Sequence, residues 1–173
     1  MNPFWILRTA RLVLTPVGGA DLRDLRAIKA DPRVFAIMLG GVRNAAETAE
    51  DLANDVIAWG AQGYGIWGVR EAAGHRFVGI TGLQNRADHR GVGLRFAFWP
   101  DVQGHGYARE AAGAVLRFGH DQAGLQRIVG VAREANFASR TVLGSIGMVP
   151  CERFVQHGHA MVLFESVRVS LGS

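Results

Sequence analysis

Cysteine and lysine are almost missing from this chain, and each scarcity removes a class of function. One cysteine, Cys151, in 173 residues excludes an intrachain disulfide and any zinc site assembled from several thiolates, and makes a reducing, cytoplasmic compartment the expected location. One lysine, Lys29, excludes the nucleotide P-loop, whose G-x-x-x-x-G-K-[ST] spelling needs a lysine directly after a glycine. Long apolar runs are absent as well: no stretch approaches the ~20 residues of a membrane span, and Arg8 and Arg11 interrupt the apolar start. No membrane partner is expected. Repeats, linkers and low-complexity segments are lacking too, so residues 1–173 read as a single domain.

What is present suits a folded enzyme. Hydrophobic residues make up 49% and charged residues 20% of the chain, far from the composition of disorder. The formal charge of +4 comes from 18 arginines and the one lysine against 15 acids, scattered from Arg8 to Arg168 without a basic run. Nucleic acid is therefore not an expected partner, whereas a phosphate-bearing small molecule is.

The segment 11–17 ends its β-branched and apolar run at Pro16 and reads as a first strand. Asp21 caps a short helix with Leu22, Leu25 and Ile28 as its stripe, and Asp31-Pro32 ends it. Gly40-Gly41 makes a joint. Across 45–61, Ala49, Leu52, Ala53, Val56 and Ile57 follow helical spacing, which leaves Glu47, Glu50, Asp51 and Asp55 as a solvated face. Strand patterns at 64–69, 77–83 and 92–99 form an antiparallel meander. A second long helix starts at the glycines near Gly106 and carries Ala108, Ala111, Ala112, Val115 and Leu116. A strand at 127–132, a helix at 138–146 closed by Gly147, and strands near 148–155 and 160–166 follow.

Between strand and helix stands Pro100-Asp101-Val102-Gln103-Gly104-His105-Gly106-Tyr107-Ala108. Two glycines at such a turn let backbone N–H groups converge at the positive end of a helix, where a diphosphate binds well. The dinucleotide fingerprint G-x-G-x-x-G begins at Gly104 and Gly106 but meets Arg109 where it needs a small residue. The spelling Gln-x-x-Gly-x-Ala at Gln103, Gly106 and Ala108 remains.

That spelling resembles the acetyl-CoA signature of the GNAT superfamily of N-acetyltransferases. The resemblance extends to Thr9-Ala10-Arg11-Leu12-Val13-Leu14, to Asp31-Pro32, to Trp99-Pro100-Asp101, to Gly106 through Ala111, and to Asn136-Phe137-Ala138-Ser139. The set is similar to the branch containing the ribosomal-protein N-terminal acetyltransferases. It implies a mixed α/β fold: a mostly antiparallel twisted sheet of about six or seven strands, with a splayed central strand and about four helices on its two faces.

The resemblance also implies roles. Acetyl-CoA, or another acyl-CoA, would be the co-substrate and no metal would be needed. Its diphosphate would rest on Gln103, Gly104, His105, Gly106, Tyr107 and Ala108, and its arm would pair with the backbone of Ala97, Phe98 and Trp99. The acceptor would be an amine, on a small molecule or a protein N-terminus, attacking the thioester directly, and the enzyme could work as a homodimer. Asn136 would contact the cofactor and Ser139 would protonate the leaving sulfur, although Asn136 also suits the N-cap of the helix that follows. Relatives place a glutamate where this chain has Gly93, with Arg95 two residues on, so the proton route is left to water, to a carboxylate from elsewhere, or to an amine already neutral.

Several other residues have simpler readings. Cys151 reads as a buried small hydrophobe, His157 and His159 as turn residues, Arg86, Arg90 and Arg95 as solvated charges, and Trp59, Trp67 and Trp99 as packing. Two further functions stay open at this point. One is a non-catalytic acyl-CoA sensor, suggested by the missing glutamate, and the other is a nucleotide-dependent oxidoreductase, disfavoured by Arg109.

Overall fold

The computed structural model describes residues 1–170. Among these, the strands β1 (Leu7–Arg8), β2 (Leu12–Pro16), β3 (Ile66–Glu71), β4 (Phe77–Asn85), β5 (Val92–Phe98), β6 (Arg127–Arg133), β7 (Val149–Gln156) and β8 (His159–Val167) form one sheet. Its order is β1-β2-β3-β4-β5-β6-β8-β7. The helices are α1 (Leu22–Ala30), α2 (Pro32–Phe35), α3 (Ala45–Gln62), α4 (Tyr107–Asp121) and α5 (Phe137–Ser145). The mixed architecture and the β3-β4-β5 meander match expectation. The sheet has eight strands rather than six or seven because the two-residue β1 pairs with β2. Such a short edge carries no period-2 pattern to read.

Helices cover both faces of the sheet. On one side Leu12, Leu14, Trp67, Val78, Leu94 and Phe98 meet Ala111, Ala112 and Val115 of α4. On the other, Leu25, Ile28, Phe35 and Leu52 meet Ile66, Ile80 and Ala97. β5 thus sends Leu94 and Phe98 to the α4 side and Ala97 to the α1–α3 side, as strand alternation requires. Trp59 and Trp67 lie edge-on with centroids 4.5 Å apart. Their indole nitrogens donate to the carbonyls of Ile66 at 2.9 Å and Trp5 at 2.6 Å, so neither buried N–H is left unpaired.

Three local expectations are corrected. Asp21 precedes α1, but its carboxylate does not cap that helix; Oδ2 accepts from Gly18 N at 2.8 Å and Oδ1 pairs with Arg70 at 2.8 Å. Pro32 ends α1 yet opens α2, since Asp31 accepts from Arg33 N at 2.9 Å and proline suits the first helical position. α3 is rotated from the expected stripe: it buries Thr48, Leu52, Asp55 and Trp59 and leaves Val56 and Ile57 exposed at 49% and 67%. The large, hydrogen-bonded indole of Trp59 sets that phase. Asp51 and Asp55 therefore turn inward instead of facing solvent.

The sheet is split at its centre. β5 pairs with β4 along its whole length, from Val92↔Asn85 to Phe98↔Gly79, but with β6 only at Val92↔Ile128 and Gly93↔Val129. β6 then follows β8 from Arg127↔Val167 to Arg133↔Met161. A wedge opens between β5 and β6 from Leu94 onward.

Candidate active site

The glycine-rich turn sits at the wide end of this wedge. After β5, Pro100–Val102 makes one tight helical turn anchored by buried Val102. Gly104 and Gly106 then adopt φ of +83° and +81°, a region that L side chains rarely enter. α4 starts at Tyr107, and its first internal bond runs from Glu110 N to Gly106 O at 3.0 Å. Among the described residues, the N–H groups of Gly104, His105, Gly106, Tyr107, Ala108 and Arg109 reach no protein acceptor. Six amides at the positive end of a helix of 15 residues give the turn a geometry suited to an anion.

A clamp from the start of the chain fixes the turn's outer side. Thr9 Oγ1 and Arg11 N donate to Glu110 Oε1 at 2.6 and 2.8 Å, and Arg11 Nε donates to Oε2 at 2.8 Å. Arg11 Nη1 also donates to the carbonyl of His105 at 2.8 Å, and its guanidinium lies 4.6 Å from the centre of the Tyr107 ring. Tyr107 in turn donates its hydroxyl to Glu71 at 3.0 Å, which raises the phenol's pKa. Partial burial pushes the Glu110 carboxyl upward, but the bonds from Thr9 and Arg11 outweigh it and hold the group below its ordinary value. Two sequence segments about a hundred residues apart, each singled out separately, are thus one hydrogen-bonded unit.

The remaining expected residues belong to the elements on either side of the wedge. Ala97 and Phe98 are buried and Trp99 is half-buried. The Gln103 side chain folds back, with Nε2 donating to Phe98 O at 3.1 Å, which steadies the end of β5. Across the wedge, β6 runs parallel to β5, so its following helix α5 also starts at the wide end. Asn136 caps α5 by accepting from Ser139 N at 3.1 Å. Among the described residues its amide nitrogen and the Ser139 hydroxyl donate to no protein group.

On the α1–α3 face of β5 lies a partly open cavity of about 220 Å³ between α1, α3 and the sheet. Lys29, Arg43, Asp51, Asn54, Asp55, Gln84 and Arg95 supply its charged and polar wall. Asp51 is paired twice, with Lys29 at 3.0 Å and Arg43 at 2.9 Å. Asp55 is 8% exposed and accepts no hydrogen bond from any described residue. Burial pushes its carboxyl up to about 6, against the pull of Lys29 and Arg95. Arg95 is half-buried with Nη1 on Gln84 Oε1 at 2.7 Å, so it is not the solvated charge expected. A wider, more open hollow outside α4, lined by Arg8, Arg11, Arg109 and Arg117, includes no residue of β5 or β6.

Residues 11–149 match the family described as the acetyltransferase (GNAT) domain. The chain belongs to the GNAT family. The FsC-acetyl coenzyme A-N(2)-transacetylase of Aspergillus fumigatus is 30% identical over 161 residues, covering 86% of this chain and 66% of the relative. The GNAT chain thus spans just under two thirds of that curated protein. In fold it is similar to a GNAT-family acetyltransferase from Bordetella pertussis, with a TM-score of 0.82 at 23% identity over 92% of this chain and 98% of the other. A ribosomal L7/L12 alpha-N-protein acetyltransferase solved in complex with coenzyme A shares the fold at a TM-score of 0.78 and 14% identity, covering 94% and 97% of the two chains.

Within the GNAT frame the other polar candidates fall away from the wedge. Cys151 is exposed on β7, not buried, because the outer edge strand β7 carries few buried residues; partial burial of its sulfur and nearby Glu165 raise the thiol's pKa, which disfavours the reactive thiolate. His157, at a positive φ of 50°, and His159 flank the exposed β7–β8 turn. Arg86 and Arg90 are both held by Asp88, and Arg90 also by Glu152. The inward carboxylate of Asp55 escaped sequence reasoning; the seven-residue spacing of Leu52 and Trp59 was the signal that could have found it.

Proposed function

We propose that this domain transfers an acetyl group from acetyl-CoA to a primary amine, by direct attack of the nitrogen on the thioester. The observation that carries the reading is the row of six free amides, Gly104 to Arg109, at the mouth of a sheet that has opened beside β5. The amides of Gly104, His105, Gly106, Tyr107 and Ala108 hold the diphosphate of the donor. The edge of β5 that β6 leaves unpaired faces the amide-bearing arm, as an added strand would use it; of Ala97, Phe98 and Trp99 it is Phe98 N that points there free, because Ala97 and Trp99 turn their main-chain groups to β4 and Phe98 O already accepts from Gln103. The free edge from Leu94 to Phe98 spans roughly 15 Å at about 3.3 Å per residue. An arm following it from the turn ends level with Arg95 and Gly93, because the ladder with β6 closes there.

The Ser139 hydroxyl, free of protein acceptors, supplies the proton to the departing sulfur, and the amide nitrogen of Asn136 donates to the donor molecule while its oxygen caps α5. Two relatives named above are, by their names, an N(2)-transacetylase and an alpha-N-protein acetyltransferase, which supports nitrogen as the acceptor atom. The reaction is proposed to take place in the cytoplasm. The test is steady-state release of free thiol from acetyl-CoA with lysine, spermidine and an alanine-initiated peptide as acceptors. Turnover dependent on one of these supports the reading, and tight coenzyme A binding without turnover for any amine would leave only a sensor.

A further inference from the structure

Asp55 is held inward by its own helix. Leu52 and Trp59, three residues before it and four after, are both buried in the core, so the side chain between them is turned into the cavity. An acidic residue this buried, whose carboxylate meets no protein donor and faces only the cavity, is costly, and native proteins rarely keep one without a use. Its neighbours do not supply that use. Lys29 of α1 and Arg43 of the segment before α3 are both committed to Asp51. Arg95 of β5 rests on Gln84, and the lining residues from β3 and β4, Ile66, Ile80 and Gln84, carry no charge.

The cavity also lies where the chemistry must occur. Its β5 wall is Arg95, on the same face as Gly93 and Ala97, at the level where the wedge closes and a donor arm must stop.

We propose that the acceptor amine is bound in the cavity between α1, α3 and β5, and that the Asp55 carboxylate takes its proton. This rests on the transferase reading above. The amine nitrogen forms a bond to the thioester carbonyl carbon and the carbon–sulfur bond breaks, the sulfur leaving with the electron pair. The proton lost by nitrogen goes to Asp55 Oδ and from there to solvent, and the thiolate is protonated by Ser139 or water. A carboxylate titrating near 6 is ionised at neutral pH and a far better base than one near 4.

The experiment compares wild type with Asp55→Asn and Asp55→Ser, using acetyl-CoA and the best acceptor among lysine, spermidine and an alanine-initiated peptide. The proposal expects an acidic limb in the wild-type kcat/KM profile with an inflection near 6. It expects kcat to fall about 100-fold or more in both variants, the limb to vanish from their residual activity, and coenzyme A affinity to stay within twofold. Melting curves check that each variant folds, and the serine variant carries the same test if the amide does not. Variants within threefold of wild-type kcat, or keeping the same acidic limb, overturn the role of Asp55 while leaving the transferase intact. A wild type that binds coenzyme A but acetylates none of the three amines overturns both readings.

Discussion

Gly106 combines two constraints, a φ of +81° and a would-be Cβ 3.3 Å from Arg11 Nη2. Gly106→Val therefore strains the turn and pushes against the clamp, at about 1–2 kcal/mol for the left-handed backbone alone. Coenzyme A affinity is expected to drop at least about tenfold by calorimetry, while far-UV circular dichroism stays native. Asp55 gives a prediction of opposite sign for stability. Its pKa is raised in the folded state to about 6 from 3.8, so its favourable contribution is complete below 3.8 and is lost as pH rises through about 6. At about 1.4 kcal/mol per pKa unit the penalty at pH 7–8 is on the order of 2–3 kcal/mol. Denaturant melts are expected to show Asp55→Asn as stable as wild type or more so at pH 8, with the advantage gone near pH 4. The glycines were readable because a two-glycine strand-to-helix turn has few other uses; Asp55 was not, because an acidic residue beside Glu50 and Asp51 looks like any solvated face until the phase of the helix is known.

Elements carry their own tests. The clamp between the segment before β2 and α4 depends on ionised Glu110, whose pKa is held below its ordinary value of 4.5 once folded. Its contribution is therefore present above that value and lost as pH falls through the lowered pKa. Glu110→Gln is expected to melt below wild type at pH 7, with the gap closing toward pH 3, and to raise KM for acetyl-CoA because the turn loosens. Asn136→Ala removes the cap of α5, worth about 1 kcal/mol, and is expected to lower coenzyme A affinity as well if its free amide meets the donor; a purely structural cap would change the melt alone. The long helices and the meander were legible from period and turn residues. β1 and α2 were not, since two-residue and four-residue elements are set by tertiary pairing and capping rather than by their own pattern. The phase of α3 was missed because five small or aliphatic residues competed with one tryptophan, and the burial of Trp59 decided it.

At the scale of the whole molecule, the candidate site is a consequence of a sheet held together at its centre by a two-residue parallel ladder. The antiparallel half β1–β5 and the half β6-β8-β7 each complete their own pairing, so parting them beyond Gly93 sacrifices little and exposes a strand edge. Sequence could show the strands but not this parting, which depends on where β6 leaves β5. A donor bridging both halves should stiffen the domain: at 100 times its dissociation constant coenzyme A adds about 2.7 kcal/mol, a rise in melting temperature of about 5–10 °C for a chain of this size, whereas NADH should add nothing. The most direct test follows the amides themselves by ¹⁵N-resolved NMR during titration with coenzyme A. The resonances of Gly104, His105, Gly106, Tyr107, Ala108 and Arg109 are predicted to shift together and to gain protection from hydrogen exchange. Saturation of the protein with those six signals unmoved would contradict it.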